Sequence, residues 1–578
     1  MTTVAPEPAT RPVVAAKRPK VNVVHIVGIV LAVAFAALLL YPFVRLVDTA
    51  FIQDEGGLLG PFDRLFAMNG IGKTFTDTIL VVCASTALAA VVAVMFAWLN
   101  TRTTARLGFV ADILPLTPVL VPVLAGTVGW VFLLSPTAGI VNVAIREVLA
   151  GVGVTVNEGP VNVFSMPGVI ALYTLNIIPF IYLPVSAALS RLDPALEEAS
   201  RVSGRNPFST FVRVTIPAVR PAIAGGVFLG ALIGLGTFSI AVIVGSGAGV
   251  DMLAVRVYRL LTQGYPPLVG EAVALAMFIL AAVLGLSFVQ RRIVGKGGHA
   301  TIGGKGIGSS LVDLRRWKWP ARIAMIGFIA LSSVIPLIGL VYVSLRGYWT
   351  AEVSFDGLGV AAFRDVLVNN PLTKNALANS VQLAALGALV TLLVATVFAI
   401  FVGSRTHAGA RALDALAKAP GGMSHLMIAI AFLIAFAGPP FRLSGSMTLL
   451  LLAFVVFFMP QAYVSASSSH SQISAELTEA SAISGAGPGR TLRRVTVPLM
   501  IPGLVGGAVM IFVMIMSEVT GSALLSGTRT PVIGFVMLDL WSGGGTFATI
   551  AALGVVMTVI TMTITACLIA LGRRSARR

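Results

Sequence analysis

Charge is what this chain of 578 residues has least of. Only 11% of the residues are Asp, Glu, Lys or Arg, against about 25% in soluble globular chains. Hydrophobic residues make up 57% and mean hydropathy is +0.95. Such a chain cannot cover its surface with solvated groups, which excludes a string of soluble domains. Cysteine is almost absent: Cys83 and Cys567 both sit in apolar runs, so there is no disulfide framework and no thiolate metal cluster. The histidines (His25, His299, His407, His425 and His470) are scattered without ligand spacing, and no metal site is expected. Nothing in the sequence suggests a serine, histidine and acid arrangement for hydrolysis. A nucleotide-binding loop is missing too. The nearest approach, AMNGIGKT at 67–74, has Ala67 where a phosphate loop begins with glycine, and it follows no strand. The Gly-rich GGKGIGSS at 303–310 reads as a linker by composition.

What the chain does have is long apolar runs. A membrane-spanning helix takes ~20 such residues. Segments of that kind fall near 24–46, 76–99, 109–134, 167–189, 221–245 and 268–290. A second set falls near 322–345, 377–402, 419–437, 447–467, 502–526 and 547–571. The sequence therefore predicts an all-α polytopic membrane protein with two tandem six-helix halves. The divisions are a cytoplasmic tail at 1–21, a first half at 22–292, a cytoplasmic linker at 293–321 and a second half at 322–578. The first apolar run is too long for a signal-peptide core and is read as a retained helix. With the N-terminus placed inside, the tail and the segments 100–108, 190–220, 291–322, 403–418, 468–500 and 572–578 hold 29 of the 40 Lys and Arg. That bias orients the chain in its membrane with both termini expected on the cytoplasmic side. It also explains the net charge of +17 without a nucleic-acid partner.

The halves are related at an offset of 281 residues: Pro179 and Tyr182 return as Pro460 and Tyr463, and Gly225-Gly226 as Gly506-Gly507. Between these landmarks, EASRVSGRNPFSTFVRVTIP (198–217) returns as EASAISGAGPGRTLRRVTVP (479–498), with 11 of 20 positions identical. Six spans per half give both halves the same orientation, a parallel repeat about an axis along the membrane normal. Each repeated loop has the signals of a short helical hairpin. In the first, Asp193-Pro194 starts a helix, Gly204 ends it and Asn206-Pro207 starts another; in the second, Ser474, Gly485 and Pro488 take those places.

These residues resemble the signature loop of ABC-importer permeases: Glu-Ala-Ala, three residues, Gly, nine residues, then aliphatic, any residue, aliphatic and Pro. Glu198, Ala199, Ser200, Gly204, Val214, Ile216 and Pro217 fit that spacing, as do Glu479, Ala480, Ser481, Gly485, Val495, Val497 and Pro498. Ser in place of the second Ala is the one departure. The resemblance implies a type I importer permease with a coupling helix in each loop, docked on two separate ABC ATPase subunits. An extracytoplasmic solute-binding protein would face the other side. ATP and Mg would be used by the ATPases, with no cofactor bound by this chain, which is itself no enzyme. A fused chain of twelve spans looks most like the ferric-iron group; similar chains serve thiamine and 2-aminoethylphosphonate, and polyamine permeases share the loop. Glu518 interrupts an apolar run and aligns with Thr237 of the first half, making both candidates for the pathway. They also mark the rival reading, an ion-gradient-driven secondary transporter with Glu518 as its coupling carboxylate.

Overall fold

Chains in lipid must satisfy every backbone polar group internally, which leaves the helix as the element available to these apolar runs. The computed structural model describes residues 23–53, 56–108, 121–294, 311–403 and 408–576; the tail at 1–21 and most of the linker lie outside them. Among the described residues, nine helices are long and apolar enough to cross a membrane: Ile26–Ile52, Ile71–Arg102, Met166–Arg191, Val269–Gln290, Arg315–Arg346, Pro371–Gly403, Met447–Ser471, Pro488–Met516 and Phe547–Leu568. Two further candidates are bent pairs, Pro207–Ala218 with Arg220–Gly236 (74°) and Gly409–Gly422 with His425–Phe436 (102°).

The even run of twelve spans is thus modified in several places. The segment at 419–437 is no simple span; the near arm tightens to a 3-10 turn over Ala419–Gly422, breaks at 423–424 and continues after a sharp bend as His425–Phe436. The expected span at 221–245 stops at Gly236 and resumes beyond Thr237, and its counterpart at 502–526 stops at Met516 and resumes at Ser522. Of the expected span at 109–134, residues 109–120 lie outside the described ones, and the rest is the 12-residue helix Val123–Leu134. The second half becomes helical at Arg315, ahead of the expected start at 322.

Small residues set how closely these helices approach. A Cβ on Gly226 would lie 3.1 Å from Ile181 Cα, and one on Gly230 would lie 2.7 Å from the Ile177 side chain, so Arg220–Gly236 lies tightly on Met166–Arg191. The repeat reproduces this contact at Gly507, whose Cβ would stand 2.3 Å from Ser465 Oγ.

The two halves interleave. The first helix of the first half packs on the second half: Phe35 meets Phe398 edge-on at 5.9 Å, and Tyr41 lies 5.7 Å from Phe436. The first helix of the second half packs on the first half. Phe328 meets Phe96 at 5.6 Å. A Cβ on Gly129 would fall 2.2 Å from the Pro336 carbonyl oxygen, and one on Gly339 would fall 2.8 Å from the Gly129 oxygen. Each half therefore completes the other's core.

Candidate functional site

The two repeated loops fold as helical hairpins. In the first, Asp193 caps the helix Pro194–Val202 by accepting a 3.0 Å bond from the Ala195 amide. Gly204 ends it with φ +83°, and Asn206 accepts from the Ser209 amide (2.7 Å) to start Pro207–Thr210. In the second, the helix is Ala475–Ile483, Gly485 has φ +77° and the restart is Pro488–Thr491. Ser474 occupies the cap position there, but its hydroxyl makes no capping bond, so the second helix starts without the side-chain cap the first one has.

The departure from the signature turns out to be structural. Ser200 Oγ lies 3.0 Å from Thr210 Oγ1, and Ser481 Oγ lies 2.8 Å from Thr491 Oγ1. In each loop this hydroxyl pair ties the first short helix to the second, a contact an Ala side chain cannot make. The signal was legible in the recurrence of Ser and Thr ten residues apart in both loops.

Glu198, Ala199, Gly204, Pro217, Glu479, Ala480, Gly485 and Pro498 are all exposed, and Ser200 and Ser481 are half-buried. Beside them stand apolar side chains that sequence reasoning passed over. Val202 is 89% exposed and its repeat mate Ile483 is 88% exposed; Leu196 and Leu477, also mates, are 50% and 48% exposed. Exposed guanidinium groups surround them: Arg205 and Arg213 in one loop, Arg490, Arg493 and Arg494 in the other. The two hairpins therefore each present an exposed aliphatic knob within a basic rim, which is the anatomy of a protein-docking surface.

Glu518 and Thr237 sit at equivalent breaks in their helices. Glu518 is 8% exposed. Its carboxylate accepts from the Gly521 amide (2.9 and 3.0 Å) and the Ser522 amide (3.0 Å), so it caps the turn that restarts the helix. His425 Nδ1 lies 3.8 Å away, with its ring stacked on Phe457 at 4.6 Å. At Thr237 the hydroxyl donates back to the Ile233 carbonyl (2.7 Å), and the Thr237 carbonyl accepts from the buried Tyr173 hydroxyl (2.8 Å). Both residues complete the backbone at a mid-helix break. Among the described residues no three His, Cys, Asp or Glu side chains converge on a common point.

Elsewhere, acids and bases are paired. Arg256 and Arg259 both turn toward Asp251 at 3.8 and 3.6 Å. Glu271 is 4% exposed and accepts from Arg64 at 2.5 Å.

Duplicated halves of membrane-spanning helices, each carrying an exposed signature hairpin, define a transport permease. The chain belongs to the family of binding-protein-dependent transport system inner membrane components, whose family model matches residues 56–295. It is a type I ABC importer permease with both halves fused in one chain. The ferric transport system permease protein FbpB of Actinobacillus pleuropneumoniae is 21% identical over 542 residues, covering 93% of this chain and 76% of that one. The Fe(3+)-transport system permease protein FbpB 2 of Haemophilus influenzae is 27% identical over 368 residues, 62% of this chain and 67% of that one. The ABC transporter permease protein ORF1 of Streptomyces antibioticus is 33% identical over 159 residues, 28% of this chain and 68% of that one.

Proposed function

We propose that this chain is the membrane path of an ATP-driven importer that passes ferric iron, delivered by an extracytoplasmic binding protein, into the cytoplasm. Two ATPase subunits dock on the hairpins at 193–217 and 474–498, which face the cytoplasm together with both termini. The observation that carries this is the duplicated knob: Val202 and Ile483 are nearly fully exposed at equivalent places in the two hairpins, with Leu196 and Leu477 partly exposed beside them. Leaving aliphatic side chains in water is unfavourable, and burying each stabilises a complex by roughly 1.5–3 kcal/mol. ATP-driven closure of the ATPases brings the two hairpins together and turns the path outward; hydrolysis lets them part and turns it inward. The hairpins' internal ties, Ser200 to Thr210 and Ser481 to Thr491, let a push on the surface reach the spans as rigid motion. Ferric iron as cargo is supported by the names of the two FbpB relatives, both ferric transport system permeases. Sparse charge in the spans fits a transient passage, with tight binding left to the external protein.

A mild-detergent pull-down of the tagged chain from its native membranes tests this. The expected result is an ATPase at two copies per chain and a binding protein that takes ferric iron in preference to thiamine, 2-aminoethylphosphonate or spermidine. A partner-free chain that catalyses gradient-driven uptake in liposomes would overturn the reading. The geometry of Glu518 speaks against that outcome, because its carboxylate is already engaged by three backbone contacts.

A further inference from the structure

Arg102 closes the long helix Ile71–Arg102 and is 3% exposed. A guanidinium does not shed its charge, so burying one requires acceptors placed around it. Its Nη2 donates to the carbonyls of Leu189 (2.6 Å) and Leu192 (2.5 Å), where the helix Met166–Arg191 ends and leaves acceptors open. Its Nη1 stands 3.9 Å from Glu197 Oε2. Glu197 lies in the first turn of the first hairpin helix and is 4% exposed. Its other oxygen accepts a 2.6 Å bond from the Thr215 hydroxyl. The Arg102 side chain thus joins two spans to the first hairpin and, through Glu197, to the stretch that returns to the membrane.

The backbone of the same residue holds the linker between the halves. The Val312 amide donates to the Arg102 carbonyl (2.9 Å) and the Thr104 amide donates to the Val312 carbonyl (3.0 Å), forming a parallel bridge between Thr103 and Val312. The Leu314 amide adds a 3.3 Å bond to Thr104 Oγ1, and Arg322 reaches the carbonyls of Thr104, Ala105 and Arg106 at 3.4 Å.

The second hairpin lacks this arrangement. The repeat mate of Glu197 is Thr478, whose hydroxyl only donates locally, to the Ala475 carbonyl at 2.7 Å. Among the described residues no ion pair reaches the helix Ala475–Ile483.

We propose that Arg102 is a positioning residue that locks the first hairpin to the membrane helices, with the inter-half linker holding Arg102 in place. The second hairpin has no such lock. The importer therefore has one stiff and one compliant lever, although the two hairpins expose similar faces. The lock stands on its own geometry; its effect on coupling rests on the ATPase docking proposed above.

The test begins with hydrogen–deuterium exchange on the full chain in lipid nanodiscs. Amides of 194–203 should exchange about tenfold more slowly than those of 475–484, since local opening follows local stability. Glu197→Gln and Val312→Pro should each bring the first hairpin toward the second; Thr104→Val serves if Val312→Pro does not accumulate. Equal protection of the two hairpins in the unmodified chain, or a first hairpin indifferent to the linker variants, overturns the proposal. With ATPases and binding protein added, Glu197→Gln should lower solute imported per ATP severalfold, Glu197→Asp should recover part of it, and Thr478→Val should leave it unchanged. Uptake and ATPase activity falling together in proportion to the protein present would make the contact merely structural and overturn the positioning role. A failure of any ATPase to dock would defeat the earlier reading of function, while the exchange result would still judge the lock.

Discussion

Replacing Gly204 and Gly485 tests how the hairpins work, because the structure separates two reasons a glycine can be required. Both have positive φ, +83° and +77°. A Cβ built on either meets nothing within 4 Å. The requirement is therefore conformational: an L-residue forced into the left-handed region costs about 1–2 kcal/mol, and Asn visits that region more readily than Ala. Loss of glycine's unfolded-state entropy returns part of this, about 0.4–1 kcal/mol. A net ~1 kcal/mol per site is about a fivefold loss of correctly terminated hairpin. Uptake per ATP in proteoliposomes should follow the order Gly, Asn, Ala, Val at either site, and the double Ala variant should multiply the single losses. Exchange of 194–203 should follow the same order in the chain alone. Were the glycines required for space, Asn would be worse than Ala. That order in the chain alone, or a Val variant matching the unmodified chain, would refute the reasoning.

Three further outcomes are expected. Gly129→Ala should cut accumulation of folded chain sharply, since its Cβ would lie 2.2 Å from the Pro336 carbonyl oxygen and 2.8 Å from the adjoining carbon; a thermal melt in detergent, lowered by several degrees, checks it. Val202→Asp and Ile483→Asp should each weaken ATPase docking by about ten- to a hundredfold, the loss expected for a buried aliphatic side chain, with the permease itself as stable as before; a titration of ATPase onto nanodiscs reads this directly. Glu518→Gln should reduce folded protein and uptake in the same proportion, because both carboxylate oxygens now accept from the Gly521 amide and either orientation of the Gln amide would set an NH2 against that N–H; loss of uptake at full abundance, with a new dependence on the proton gradient, would contradict the capping role.

How much of this was legible in the sequence depended on the range of the interaction. Hairpin ends were readable because capping is local: Asp193, Gly204 and Asn206 carry their conformational preferences within a few residues. Ser474 shows the limit of that reading, since a residue of the right type in the right place still leaves its bond unmade. Breaks in the fifth helix of each half were hidden because hydropathy counts apolar residues and does not register that Thr237 or Glu518 can complete an interrupted backbone. Interleaving of the halves was hidden for a similar reason. Gly129 and Gly339 read as ordinary small residues, 210 positions apart in sequence, until they are seen pressed together in space. The repeat itself misled in one respect. Equal sequence at 281 residues' separation suggests equal hairpins, and eleven identities over twenty positions strengthen that impression. Yet Glu197 against Thr478 lies just ahead of the matched block, and that difference decides which hairpin can reach a buried guanidinium. Likeness of the exposed hairpin faces with inequality of their attachments is what a fused chain permits: under the docking proposed above, both ATPases would meet a similar aliphatic knob while each half transmitted the push with its own stiffness.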